Sequence, residues 1–511
     1  MPEWSSGYVA DVGYTYGYYQ ELNPLRTALL SLHAGIAPSE ITTACELGFG
    51  QGLSLNIHAA ASDVDWSGTD FNPSHAAFAR KLAELSGSGA RLFDDAFADF
   101  ARRDDIPDFD YIALHGIWSW ISDENRAVIV DFVKRKLKVG GILYISYNTM
   151  PGWGAFAPLR HLMTEHAATM GSAGGGIVNR INGALEFAEK LMALNPLYSR
   201  ANPQVAERLK KMKEHNRHYL AHEYFNRDWH PMHFATMAGW LEDAKLQYLC
   251  SANYLDHIDA LNLTEEQQRF LRETHDPLFR ETVRDFIVNQ QFRKDYWVKG
   301  GWKPDTSEQS AAVRSLRVVL TTPRADVSLK VTGSLGEASM NEAVYAPILD
   351  LIGDQRIRTL GEIEEGVRES GINFSQVIQA ALLLTGAGHL AAAQDDEAIA
   401  RARKKSEKLN IYLCKKARGS NDINYLASPV TGGGVQVNRF QQLFLLAIAE
   451  GRKQPDEWGE SAWQTISAQG QKLLKDGKPL ETAEDNLAEL NRQAGEFAAK
   501  NLPIMKALQI V

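Results

Sequence analysis

The sequence is poor in cysteine. Cys45, Cys250 and Cys414 stand isolated in 511 residues, with no CxxC pair. That excludes a disulfide framework and fits a reducing compartment. No run approaches the 18 or so apolar residues a membrane-spanning helix needs. The stretch MPEWSSGYVADVG has no basic segment and no apolar core. No secretory leader is expected there, and the cytoplasm is the expected location. A basic surplus is also missing: 54 Lys and Arg face 63 Asp and Glu, for a net charge of −9. This argues against nucleic acid as a partner. His215, His218, His222, His230 and His233 share one region, but their spacings lack the acids that would complete a metal site, so none is expected.

What is present suits a globular protein: 44% hydrophobic and 23% charged residues. At roughly 100–200 residues per domain, the length suggests about three domains. From Ile41 to about Ser146, short apolar stretches alternate with helical ones. ITTACELGFG, VDWSGTD, ARLFDD, FDYIALHG and ILYISYN read as strands, with amphipathic helices between them. This predicts an α/β fold with a parallel sheet, helices on both faces, and ligands at the carboxyl ends of the strands.

GSAGGG (Gly171 to Gly176) breaks that pattern, and a mainly helical segment follows. Polar KGGWKPDTSEQS reads as a linker. The expected divisions are an aromatic lid at 1–40, a cofactor domain at 41–170, a helical segment at 171–300 and an α+β domain at 311–511. In the last, RSLRVVLTTP and DVSLKVTG are expected to pair as strands. YAPILDLIG, TLGEIEEGVRES and FSQVIQAALLLTGAGHL read as helices, and INYLASPVTGGGVQV as strand–loop–strand. Together they predict a winged-helix-like arrangement.

The motif that carries chemistry is CELGFGQGLSLN. Glu46 ends a strand, Gly48, Gly50 and Gly52 follow at alternate positions, and a helix begins. Glycines let a ligand approach the main chain, and the helix start offers free N–H donors. Dinucleotide sites favour GxGxxG, whereas this spacing is GxGxG. An acid at Glu46 would repel pyrophosphate and suits a cofactor with a free amino group, such as S-adenosylmethionine (SAM). Asp70 in GTDFNP lies about 20 residues on, where an acid holds ribose hydroxyls. It also stands where a helix begins, with Asn72 as the candidate cap. One of Asp94 and Asp95 is expected to meet the adenine amino group, with Asp94 preferred. LHGIWSW places His115, Trp118 and Trp120 over the reacting centre, one of the two tryptophans serving as packing.

These stretches resemble the class I SAM-dependent methyltransferases. YTYGYYQELNP, LHGIWSWIS, YISYNTMPGW, LAHEYF and LASPVTGGGVQVNRFQQLFLLA resemble, more narrowly, the bacterial subfamily with a methyltransferase regulatory domain, which includes the rickettsial outer-membrane-protein lysine methyltransferases. The resemblance runs over most of the chain. It implies SAM as cofactor, methylation of protein lysines, and cofactor roles for Glu46, Gly48, Gly50, Gly52, Asp70 and Asp94. The NPPY or DPPY motif of nucleic-acid amino-methylating enzymes is absent.

A lysine nucleophile must lose its proton, and a desolvated aromatic pocket favours the neutral amine. Candidates for that pocket are Tyr16, Tyr18, Trp118, Asn148, Trp153 and His222, with Glu223 and Tyr224 beside the last. Alternation along an extended segment turns Tyr14, Tyr16 and Tyr18 to one side and Tyr19 to the other. The expectation is Tyr16 and Tyr18 toward the cofactor and Tyr19 toward packing. The expected partner is a protein substrate, with oligomeric state left open. Two other readings are a small-molecule methyltransferase and a SAM-sensing regulator that binds DNA through RARKKSEKLNIYLCKKARG.

Overall fold

Strands buried on both faces read as nearly continuous apolar runs, and FDYIAL is one. In the computed structural model, which describes residues 15–171, 176–475 and 477–511, it forms β4 (Phe109–Leu114) near the middle of a seven-stranded sheet. The others are β1 (Thr43–Leu47), β2 (Asp65–Thr69), β3 (Arg91–Phe93), β5 (Leu137–Asn148), β6 (Gln247–Ser251) and β7 (Phe292–Val298). Their order is β3-β2-β1-β4-β5-β7-β6. β1 to β5 run parallel, and β7 is antiparallel to both β5 and β6. Chain order reverses between β1 and β4, the place where open α/β sheets leave a crevice for ligands.

The long helices between the parallel strands are α1 (Leu53–Ala61), α2 (Pro73–Ser86) and α3 (Asp123–Lys136). α2 has Asn72 as its N-cap, the side chain accepting from Ser74 N–H, with Pro73 in its first turn. Every residue of α1 is buried. One side faces the sheet; the other meets the C-terminal part of the chain, where Leu53 and Ile57 join a core with Leu409, Leu413 and Phe444.

After β5 comes a helical cap of α4 (Ala157–Thr169), α5 (Gly176–Ala193), α6 (Gln204–Glu214) and α7 (Arg217–Tyr224). It has its own core, built from Trp153, Phe156, Met163, Leu185, Leu209 and Leu220 among others. Much of GSAGGG lies outside the described residues. The 171–300 segment is not purely helical. β6 and β7 belong to it, and they complete the sheet through β5. The sheet therefore does not end near residue 170.

The C-terminal part begins with β8 (Arg317–Leu320), β9 (Lys330–Gly333), β10 (Gly336–Ser339), β11 (Arg358–Thr359) and β12 (Leu390–Ala392). β8 pairs with β11 and β12, and β9 pairs with β10. RVVL and LKVTG are thus strands, as expected, but not partners: LKVTG turns back on itself through the short connection before β10. Helices form at Glu342–Ile352, Leu360–Gly366 and Phe374–Gly386. β13 (Tyr425–Ser428) and β14 (Gly433–Gln436) pair antiparallel around the VTGGG loop.

The basic run RARKKSEKLNIYLCKK forms most of α8 (Asp396–Lys416). Its apolar face, with Ile399, Leu409 and Leu413, is buried. Its charges tie it to the α1–β2 turn: Arg401 pairs with Asp63 at 2.7 Å and Lys405 donates to the Ser62 carbonyl at 2.7 Å. Among the described residues no helix is long and apolar enough to cross a membrane.

Candidate functional site

The loop after β1 turns through three left-handed glycines: Gly48 at φ 75°, Gly50 at 56° and Gly52 at 69°. Residues with side chains rarely adopt that region. The loop is pinned to the end of β2. Gly48 N–H donates to the Thr69 carbonyl and Gly50 N–H to Asp70 Oδ2, both at 2.8 Å. Asp70 also accepts from Asn72 N–H at 3.0 Å, and His75 Nδ1 lies 3.1 Å from its Oδ1. Each carboxylate oxygen can accept a further bond.

A cavity of about 560 Å³ opens beside this loop. It takes Glu46, Gly48, Gly50, Asp70, His115, Asn148 and His222 from the expected set. Glu46 is 3% exposed, and its Oε2 has no hydrogen-bond partner. Burial, helped by nearby Asp70, pushes its carboxyl up to about 8. His115 shares a hydrogen bond with the Tyr144 hydroxyl at 2.8 Å, and burial lowers its pKa to about 3. It is a neutral imidazole at neutral pH. Asn148, at the end of β5, is 3% exposed, and its N–H donates to Ser119 Oγ at 2.8 Å.

Other expected residues lie elsewhere. Gly52 is a packing glycine: a Cβ there would sit 2.5 Å from Ala79 Cβ on α2. Asp94 is held away by Arg80 on α2 at 2.6 Å, and Asp95 lines the cavity in its place. Trp118 is fully buried, its ring N–H directed at Met232 Sδ and its edge on Trp240, while Trp120 reaches the cavity. Trp153 packs inside the cap beneath Arg208.

The tyrosines reverse the expected order. Tyr16 sits edge-on to Phe78, 5.2 Å away, and joins the C-terminal core. Tyr18 packs against His58 and Tyr425, and its hydroxyl accepts from Gly434 N–H at 2.6 Å. VTGGG is therefore a socket for Tyr18 and not a free loop. Tyr19 faces the cavity. Alternation holds, with Tyr16 and Tyr18 on one side and Tyr19 on the other, but the side that faces the cavity is Tyr19's. Tyr14 lies outside the described residues.

Tyr219 and Glu223 complete the opposite wall with His222. Their spacing of i, i+3, i+4 sets all three on one face of α7. Burial raises the Glu223 carboxyl to about 7, although Arg208 opposes the shift. Phe292 comes from β7. Among the described residues, six carboxyl groups line the cavity (Glu46, Asp70, Asp95, Glu124, Glu223 and Asp228) against one cationic side chain, Arg227. Tyr19, Phe49, Phe71, Phe97, Trp120, Tyr219 and Phe292 supply the aromatic surface. A negative, aromatic enclosure is suited to a cationic ligand. Among the described residues no three His, Cys, Asp or Glu side chains gather as a metal site.

This sheet order, with its Gly-rich loop at the switch point, is the fold of class I methyltransferases. Over 98% of this chain and all of the other, it superposes on PKMT2 from Rickettsia typhi, solved in complex with AdoHcy, with a TM-score of 0.69 at 16% identity. Residues 216–299 match the family model described as predicted methyltransferase regulatory domain. Protein sll1526 of Synechocystis sp. is 40% identical over 99% of both chains. The chain belongs to that protein's family. RP789 of Rickettsia prowazekii is 28% identical over 54% of this chain and 49% of its own length. The matched regulatory segment begins one residue before α7 and ends just after β7, so it supplies both a wall of the cavity and two strands of the sheet.

Proposed function

We propose that this protein uses SAM to methylate lysine side chains of protein substrates. The observation that carries the reading is the excess of carboxyl groups over Arg227 in an aromatic cavity beside the Gly-rich loop. Both the cofactor and a lysine bring positive charge. The rickettsial PKMT2 solved with AdoHcy shares the fold and supports the choice of cofactor.

The residues fit the cofactor. Glu46 has a buried oxygen without a partner, placed to accept from an ammonium group. Asp70 retains acceptor capacity for ribose hydroxyls, and Gly48 and Gly50 leave room along the main chain. When bound, SAM supplies an electrophilic methyl group on a positively charged sulfur. The chain then has to position a neutral amine, and such positioning can contribute about 7–11 kcal/mol. Glu223, with its carboxyl near 7, accepts the proton of the incoming lysine ammonium. The Asn148 side-chain carbonyl accepts one N–H of the amine and orients its lone pair. Tyr19, Trp120, Tyr219 and Phe292 exclude water and attract the cations by about 0.5–2 kcal/mol each.

The test is transfer of labelled methyl from SAM into a cell lysate by the purified protein, followed by hydrolysis of the protein fraction. Methyl-lysine is the expected product. Label confined to small molecules would refute the lysine assignment and point to a metabolite instead. Calorimetry with SAM checks the cofactor: wild type should bind, and Gly50→Arg should not.

A further inference from the structure

A second cavity, of about 680 Å³, lies on the far side of Tyr19. The N-terminal segment, β7, β12, β13 and the last helix all contribute to it. Tyr19 lines both cavities and so stands between the second one and the proposed methyl-transfer site. Arg26 lines this space and is 8% exposed. Among the described residues no carboxylate reaches ion-pair distance from it. Its guanidinium makes one long hydrogen bond, to Gln20 Oε1 at 3.4 Å, and lies over the Tyr254 ring. Its Nε has no hydrogen-bond partner among the described residues. Glu21, the neighbouring carboxylate, is committed to Lys294 at 2.6 Å. Asp326, the other carboxylate lining this space, lies 3.7 Å from Lys500, so neither lining acid is paired with Arg26.

Buried charges in proteins are ordinarily paired, and a guanidinium fork matches a carboxylate with two parallel hydrogen bonds. We infer that the second cavity seats an acidic side chain of the polypeptide substrate on Arg26, so that a lysine nearby in the same chain passes Tyr19 into the methyl-transfer site. This rests on the lysine reading above and extends it. An extended peptide advances about 3.3 Å per residue, so the offset between acid and lysine is a fixed register. The enzyme then selects lysines by a neighbouring glutamate or aspartate.

The experiment uses the full chain and short peptides with one central lysine. Glutamate is stepped through the flanking positions, each peptide paired with its glutamine counterpart. Binding is measured by calorimetry, and methylation separately. In wild type one register should bind about tenfold tighter with glutamate than with glutamine, the gain of a charge-assisted contact. In Arg26→Leu that ratio should fall to about one. Leucine removes a buried unpaired charge, so its Tm should not drop. Should it fail to fold, Arg26→Lys keeps the charge without the fork and should show a smaller ratio than wild type. An unchanged ratio in either folded variant, or no register preference in wild type, overturns the proposal. So does glutarate binding at Arg26 with no gain for any peptide. Peptides that bind through glutamate but gain no methyl would sink the lysine reading and leave this site standing. Methylation without charge preference would do the reverse.

Discussion

Tyr19 lies flat on His115, with ring centroids 3.7 Å apart and planes at 26°. This contact sets the N-terminal segment over the carboxyl end of the sheet. Its partner is a neutral imidazole, so the stack adds no positive charge beside a cationic cofactor. Tyr19 N–H is fixed in turn by Ser54 Oγ of α1 at 2.8 Å. The segment is thus anchored to the same helix that begins at the Gly-rich loop.

Neighbouring tyrosines should therefore behave oppositely. Tyr19→Ala removes an aromatic wall and should weaken SAM binding by about 2- to 30-fold in calorimetry. Tyr18→Phe removes the acceptor for Gly434 N–H and should cost about 0.5–1.5 kcal/mol of stability in urea unfolding, with turnover retained. Loss of turnover in folded Tyr18→Phe would return Tyr18 to the catalytic set.

The strand succession, the Gly-rich loop and the acids ending β1 and β2 were legible because they are local. Alternation, glycine spacing and apolar runs record the neighbours of each residue. Asp95 and Trp120 are named beside Asp94 and Trp118, and Tyr19 beside Tyr18, but the choice within each pair lies in tertiary contacts: Arg80 claims Asp94 and Met232 claims Trp118. Phe292 could not be read, since β7 joins β5 across the whole helical cap. Glu223 is read beside His222; Tyr219 leaves a signal only in its helical spacing with them, and nothing local tells that face from an ordinary amphipathic one.

Glu46 should make the ligand-free protein lose stability as pH rises. Its folded pKa of about 8 is above its ordinary 4.5, so the folded state holds the proton more tightly. The stabilisation is complete below about 4.5 and is lost as pH rises through 8. The Tm of wild type should fall relative to Glu46→Gln across that window. SAM binding, which needs the carboxylate, should release a proton at pH 7. Calorimetry in buffers of different ionisation enthalpy reads it, and a buffer-independent heat would contradict the role.

The methyl-transfer rate should rise through pH 7 as Glu223 ionises. Replacing it by Gln should lower kcat about 10²- to 10⁴-fold, as expected for loss of a general base, and flatten that limb of the pH profile. An unaltered profile in Glu223→Gln would assign the proton to another acceptor.

Gly52→Ala should act on folding. The added Cβ meets Ala79 and the backbone is left-handed, so a loss of about 1–3 kcal/mol is expected in urea unfolding. Between the paired acids, Asp95→Ala should weaken SAM binding more than Asp94→Ala. The Asp94 carboxylate, paired with Arg80, is 45% exposed.

α1 begins at the Gly-rich loop and ends on groups from far along the chain. The carbonyls of Ala60, Ala61 and Ser62 are met by Ser406, Gln394 and Lys405. Those carbonyls would otherwise need water, and Leu53 and Ile57 would face it. Exchanging one half without the other would leave these groups unmet. A change at the C-terminal seam lies one nine-residue rod away from the glycines of the candidate site, and natural variation at that seam is expected to tune that site.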